Sequence, residues 1–322
     1  MKTPSWWRHK GPMAQLLRPI SLFWRLGAML RSAFAKVETL DIPVWCVGNV
    51  TAGGGGKTPF CLYLGEQMKQ AGINAYFIAR GYGGELAGPL LVDVHTHSHK
   101  EVGDEALLLA ECLPTIVAHE RVEAAKLAAE LGAKLVIMDD GMQYPHLHPN
   151  KTFLMLKGDE PLGNGYVIPA GPLRESFTKA LTRSDVVVEV DSTSSTYEGD
   201  IAGWQATTHL TLPKLANNQL IAFAGIAHPH HFRKQLQSLG LHIIEFHGFA
   251  DHHPYTSQEL NTLLDRAEKE GAALITTAKD AVRMPTAFRE KVIVAKQSLS
   301  LDRSNDLAVM IGNAIPSPCE SP

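Results

Sequence analysis

The first 37 residues contain no aspartate or glutamate, although the chain as a whole has 33 acidic residues and a net charge of −3. That net charge is not the globally basic balance of a nucleic-acid-binding surface, so no nucleic-acid partner is expected. Cysteine is also scarce. Cys46, Cys61, Cys112 and Cys319 stand far apart and form no Cys-x-x-Cys pair. This argues against a disulfide framework and a cysteine zinc site and predicts buried thiols in a reducing compartment. No uninterrupted apolar run approaches the roughly 20 residues that span a bilayer. No Asn-Lys-x-Asp sequence marks a guanine pocket; Thr277-Ala278-Lys279-Asp280 comes near it but has no residue between lysine and aspartate. No fixed-period repeat appears. With 45% hydrophobic and 20% charged residues in 322, the chain has enough apolar side chains for a sizeable core and is not disordered.

The acid-free segment is basic and aromatic. It holds Lys2, Arg8, Lys10, Arg18, Arg25, Arg31 and Lys36, together with Trp6, Trp7 and Trp24. Leu16, Leu17, Ile20, Phe23, Trp24, Gly27, Leu30 and Phe34 fit one helical face. Arg18 and Arg25 interrupt the apolar region, which argues against a cleavable signal peptide. Two readings remain: an amphipathic helix lying in a membrane interface, or an ordinary helix packed on the core. The absence of acid favours membrane contact.

Beyond residue 37, strands and helices alternate. Strands are expected at 43–48, 73–79, 115–118, 134–138 and 151–156, with helices at 57–71, 103–112 and 120–131 between them. The order predicts an α/β fold with a mostly parallel sheet covered by helices on both faces. A Ser/Thr-rich stretch at 191–196 followed by strand-like alternation at 206–212 marks a linker, beyond which the α/β rhythm restarts. The expected organisation is a membrane-associating segment at 1–37, a P-loop core at 38–190, a linker at 191–217 and a second, smaller α/β domain at 218–322. The Pro/Ser-rich tail from Ile315 is expected to fray.

Between the first strand and the first helix of the core lies Gly48-Asn49-Val50-Thr51-Ala52-Gly53-Gly54-Gly55-Gly56-Lys57-Thr58-Pro59. Glycines let a loop wrap so that its N–H groups face phosphate oxygens, and the helix start adds partial positive charge. Thr51–Thr58 is therefore the candidate nucleoside triphosphate cradle: Thr51, Ala52, Gly53, Gly54, Gly55 and Gly56 as the loop, Lys57 for the β- and γ-phosphates, and the Thr58 hydroxyl for Mg²⁺. Asp139, at the end of a neighbouring strand, is the first choice for a second Mg²⁺ contact.

A phosphotransferase also needs a group to position and deprotonate its acceptor. Asp104 and Glu105 open a helix, where first-turn acids ordinarily favour the dipole. Asp251-His252-His253 lies in a loop of the second domain, where an Asp–His pair across a cleft shares a proton. The 15 histidines raise an alternative, a metal-delivery P-loop NTPase. His95, His97 and His99 alternate and would share one face of a strand, and His228, His230 and His231 cluster. A nucleotide-gated membrane adaptor without catalysis is a third possibility.

Several stretches in order carry a family resemblance: the loop above, Ala79-Arg80-Gly81-Tyr82-Gly83-Gly84, Val102-Gly103-Asp104-Glu105, Asp139-Asp140-Gly141-Met142-Gln143, Gly163-Asn164-Gly165 with Pro169-Ala170-Gly171-Pro172-Leu173-Arg174-Glu175, Asp251-His252-His253-Pro254-Tyr255 and Thr276-Thr277-Ala278-Lys279-Asp280-Ala281-Val282. The chain resembles the tetraacyldisaccharide 4′-kinases, the lipid A 4′-kinases, over roughly 12–294. The resemblance implies ATP and Mg²⁺, transfer to the 4′-hydroxyl of a tetraacyldisaccharide 1-phosphate, and peripheral attachment at the cytoplasmic face of the bacterial inner membrane as a monomer. It implies that Asp104 pairs with His252 or His253, that Glu105 joins Thr58 and Asp139 at the metal, and that Asn49, Tyr82, Arg174 and Glu175 lie near substrate. It also implies threonine where this chain has Gly55.

Overall fold

The computed structural model describes residues 4–195, 197–215 and 218–314. A 3-10 turn at Ser5–Trp7 precedes helix α1 (Pro12–Ala33). Proline suits the first helical position, where its missing N–H has no partner to lose. Only Ala14 and Ser21 of α1 are buried, seven residues apart on one face. Leu16, Ile20, Phe23, Leu30 and Phe34 form a stripe on the other side, and all five are exposed. The helix thus meets the protein through its small residues and turns its large apolar ones outward. Among the described residues no helix is long and apolar enough to cross a membrane.

The first half alternates as expected: β1 (Val44–Gly48), α2 (Lys57–Gln70), β2 (Ala75–Ala79), a short β3 (Leu90–Leu91), α3 (His99–Val102), α4 (Asp104–Ala110), β4 (Thr115–Val117), α5 (Arg121–Glu130), β5 (Leu135–Asp139), β6 (Lys151–Lys157), α6 (Phe177–Leu181) and β7 (Val186–Val190). The segment 191–217 does more than link, because it carries the ten-residue β8 (Ala202–Thr211), which begins four residues before the expected alternation. The second half follows with β9 (Gln219–Ala224), α7 (Pro229–Ser238), β10 (His242–Gly248), α8 (Ser257–Lys269), β11 (Ala273–Thr277), α9 (Ala278–Ala281), α10 (Thr286–Arg289), β12 (Ile293–Leu301) and α11 (Ser304–Ala314). The tail from Ile315, with Cys319, lies outside the described residues.

The strands form one 12-stranded sheet in the order β10-β9-β11-β12-β8-β7-β6-β1-β5-β2-β4-β3. Neighbours are parallel except β12 with β8 and β3 with β4. The central strands are buried along their whole length, as a sheet covered on both faces requires. Alternation splits their side chains between two cores. Trp45 and Val47 of β1 face Phe60, Phe77 and Phe153, whereas Val44 and Cys46 face Met138, Leu154 and the alanines of α5. Cys46, Cys61 and Cys112 are free thiols, the first two buried.

The two halves meet along β12. Its Ile293–Ala295 stretch pairs with β11, and Lys296–Leu301 turns to pair antiparallel with β8. Leu299 and Leu301, with Leu307 and Ile311 of α11, then join the core of Trp45 and Phe60. The end of the described chain therefore completes the first half, not only the second.

Candidate active site

The named motifs gather at the carboxyl ends of the parallel strands, where open α/β sheets place their ligands. Leaving β1, the loop 51–56 turns into α2 through Gly56, which caps the helix at φ +75°. Gly53 has φ +121°. Both conformations strongly favour glycine. Asn49 is buried inside this loop and braces it, donating from Nδ2 to Thr51 Oγ1 at 3.2 Å and accepting from Lys57 Nζ at 3.1 Å. A Cβ on Gly55 would stand 2.4 Å from Asn49 Nδ2. In this chain the asparagine amide fills the space where a threonine side chain would begin. Lys57 also faces Asp140 Oδ1 at 3.4 Å.

A patch of oxygen donors lies beside the loop. Thr58 Oγ1 is 3.4 Å from Glu105 Oε1, which also accepts from Lys279 Nζ at 2.7 Å. Asp139 is buried behind them and accepts from Cys61 Sγ at 3.6 Å. Burial, then the nearby Glu105 charge, raises the Asp139 carboxyl to about 7. Two acids near enough for the charge of one to act on the other, with the Thr58 hydroxyl beside Glu105, suit a hard dication that takes further ligands from phosphate and water. Among the described residues no group of three or more His, Cys, Asp or Glu forms a protein-only metal cage. Thr58, Glu105 and Asp139 fit Mg²⁺ held jointly with a nucleotide.

Asp104 and Glu105 are neighbours that serve opposite directions. Asp104 Oδ2 lies 2.9 Å from His252 Nδ1, and the residues are 148 apart in sequence. His252 sits at φ +57°, an uncommon backbone for a non-glycine residue and one that clusters at functional sites. Burial pushes the Asp104 carboxyl up, but Arg283, followed by His252 and Lys279, outweighs burial and holds it below the usual carboxylate range. His253 points elsewhere: its Nε2 is 3.0 Å from Glu259 Oε1, and its ring stacks on Phe249. Geometry thus separates two histidines that sequence could not.

The remaining candidates fall into one chain of contacts and one outlier. Arg174 Nη1 donates to both oxygens of Asp140 at 3.0 Å and to Gln143 Oε1 at 3.1 Å. Glu175 Oε1 accepts from Gln143 Nε2 at 3.1 Å and from Arg183 Nη2 at 2.5 Å. Burial raises Asp140, yet Lys57 and Arg174 outweigh it and keep this carboxylate low. Asp140 therefore joins the phosphate loop to the Arg174 loop. Tyr82 stands apart, 74% exposed, on the glycine-rich turn after β2. Helix α1 also reaches this region. Trp24 Nε1 donates to the Arg174 carbonyl at 3.1 Å, and Ser21 Oγ donates to the Val167 carbonyl at 2.8 Å.

The sequence reading had assigned no role to Lys279, Arg283 or Arg183. Lys279 lies inside the quoted Thr276–Val282 stretch, and Arg283 follows that stretch by one residue; neither has a signal of its own. The histidine alternative loses its geometry. His95 and His97 sit in a turn around Asp93, not in a strand, and His97 Nδ1 accepts the Asp93 N–H at 2.9 Å. A turn has no two-residue alternation to bring them to one face.

The profile described as tetraacyldisaccharide-1-P 4′-kinase matches residues 13–315. The tetraacyldisaccharide 4′-kinase of Rhodospirillum rubrum is 38% identical over 98% of both chains, and that of Caulobacter vibrioides is 39% identical over 90% of this chain and 92% of its own. A solved structure of the Aquifex aeolicus family protein, described as in complex with ATP, superposes with a TM-score of 0.80 at 27% identity, covering 94% of this chain and all of that one. With the motifs in order, the sheet shared and the match end to end, this chain belongs to the tetraacyldisaccharide 4′-kinase family.

Proposed function

We propose that this chain transfers the γ-phosphoryl group of ATP to the 4′-hydroxyl of a tetraacyldisaccharide 1-phosphate, the lipid A 4′-kinase reaction. One observation carries the residue assignment. Asp104 contacts His252 while its neighbour Glu105 contacts Thr58 at the phosphate loop, so an acid–base pair and a metal site are one residue apart.

The backbone of 51–56 and the Lys57 ammonium bind the phosphates and neutralise charge as it moves. Thr58, Glu105 and Asp139 would hold Mg²⁺, which would supply positive charge to offset that of the phosphates. Lys57 exchanges Asp140 for phosphate, and Lys279 yields Glu105. His252 engages Asp104 through Nδ1 and takes up the proton of the 4′-hydroxyl, the carboxylate stabilising the imidazolium. Arg174, Glu175 and Tyr82 contact the sugar-phosphate. Asn49 acts from beneath the loop by holding Lys57.

We read 38–190 as the nucleotide half and 218–322 as the half that brings the His252 turn, joined through β8 and completed by β12. The exposed apolar stripe of α1, on a helix that also carries Arg18, Arg25 and Arg31 and no acid, supports peripheral attachment to the cytoplasmic face of the inner membrane, where the chain acts as a monomer. The hydrogen bonds from Trp24 and Ser21 would then tie the membrane helix to the loop that meets the lipid headgroup.

Labelled ATP with a tetraacyldisaccharide 1-phosphate acceptor, resolved by thin-layer chromatography, tests the assignment. Labelled lipid should form with wild type and nearly vanish with Asp104→Ala. Full transfer by that variant would remove Asp104 from the mechanism.

A further inference from the structure

The Asp104–His252 contact joins two distant parts of the chain, and one buried side chain touches both sides of the junction. Arg283, just beyond α9, has a side chain only 2% exposed. Its Nε and Nη2 donate to Asp104 Oδ2 at 3.0 and 2.6 Å. Its Nη1 donates to the Gly225 carbonyl at 2.8 Å and contacts Asp280 Oδ1 at 3.3 Å. Gly225, at the end of β9, is the support of the histidine turn: its carbonyl also accepts the His252 N–H at 3.1 Å. Its own N–H donates to Asp280 Oδ1 at 2.9 Å, and Tyr255 Oη donates to that same oxygen at 2.8 Å. The turn bearing His252 and the carboxylate of Asp104 are thus bound to one guanidinium.

Both oxygens of Asp104 are already spoken for. Oδ1 accepts the Glu105 N–H at 2.9 Å, while Oδ2 meets Arg283 and His252 together. A guanidinium is a rigid planar fork, so its contacts fix direction as well as charge. An ammonium at the same place would keep the charge and lose the fork.

We propose that Arg283 is a positioning residue for phosphoryl transfer, holding Asp104 and the His252 turn in register across the two halves of the chain. The proposal rests on the reading of Asp104 and His252 as the proton-accepting pair. The competing role is that of a strut, a buried ion pair that only keeps the halves together. The two differ in readout: losing a strut lowers the melting temperature and leaves kcat of the folded enzyme near wild type, whereas losing a positioning residue lowers kcat of the folded enzyme through Asp104.

The test measures kcat and KM for ATP and for the lipid acceptor in Arg283→Gln and Arg283→Lys, alone and combined with Asp104→Asn, with melting curves for each. Arg283→Gln should lower kcat about 100-fold, the scale of a misaligned acid–base group, with both KM values little changed. Arg283→Lys should recover part of that loss and remain about 10-fold below wild type, because charge returns without direction. On the Asp104→Asn background, Arg283→Gln should add no further loss, as for residues that act as a unit. Wild-type kcat in Arg283→Lys would overturn the proposal, as would the full Arg283→Gln loss repeated on the Asp104→Asn background. If Arg283→Gln does not fold, the Lys variant decides alone. Wild-type turnover in Asp104→Asn would instead remove the reading of the pair itself, which separates the two failures.

Discussion

Replacing Leu16 and Phe23 of α1 together by serine isolates the apolar part of membrane attachment, because it leaves every basic residue of the helix in place. The two side chains are 72% and 75% exposed and lie on the stripe that faces away from the protein. Full burial of a leucine or phenylalanine contributes about 1.5–3 kcal/mol, and about three quarters of each remains to be buried, so each should contribute about 1–2 kcal/mol. The pair should then weaken partitioning by about 2–4 kcal/mol, or roughly 30- to 700-fold at 1.4 kcal/mol per tenfold. Co-sedimentation with zwitterionic and anionic vesicles measures it directly. Neither side chain is part of a core, so the melting temperature should hardly move, apart from a few tenths of a kcal/mol of helix propensity per serine. The arginines should still favour anionic over zwitterionic vesicles in the variant, since that preference is electrostatic. Unchanged binding to both vesicle types would refute the assignment of the stripe to lipid.

His252→Ala should reduce kcat about 100-fold or more, whereas His253→Ala should leave kcat near wild type and cost about 1 kcal/mol of stability through its Glu259 contact; steady-state kinetics and melting curves read the two. Glu105→Gln should raise the Mg²⁺ concentration needed for half-maximal turnover by at least about 10-fold, measured by Mg²⁺ titration at saturating ATP. Gly56→Ala forces a side chain into φ +75° against Val190, so it should destabilise the fold by about 1–2 kcal/mol and weaken nucleotide binding, as denaturant melts and a fluorescent-nucleotide titration would register.

The sequence made the phosphate loop and the first half readable for a physical reason. Strand, glycine run and helix lie next to one another along the chain, and local rules govern all three. Asp139 was legible for the same reason, as an acid at the end of a strand. The His252 assignment was not, because His252 and His253 are alike in type and adjacent; only the backbone turn at φ +57° decides which of them meets Asp104. Arg283 was out of reach because its partners, Asp104 and Gly225, are 179 and 58 residues away. Glutamate 105 shows the limit from the other side. As a first-turn acid it looks like a helix-dipole residue, and its contacts with Thr58 and Lys279, 47 and 174 residues away, arise only in the folded chain. Strand β8 was legible in part: alternation marks it from Ala206 onward, whereas its start at Ala202 and Gly203 is exposed and carries no apolar pattern. The stripe on α1 was visible, but its periodicity is the same whether a helix faces lipid or a core; the docking of Ala14 and Ser21 shows only that the stripe does not face the core.

The path of β12 has a consequence for how the protein is made. The core around Trp45 and Phe60 lacks four of its buried members until residues 299–311 have been synthesised. A nascent chain that ends before β12 holds a complete nucleotide-binding sequence with an open apolar flank and no partner strand for the outer side of β8. Such a chain exposes an unpaired edge and should be a substrate for chaperones or proteases. Maturation is thereby ordered: β12 and α11, which follow the second half in the chain, must emerge from the ribosome before the core of the first half can close.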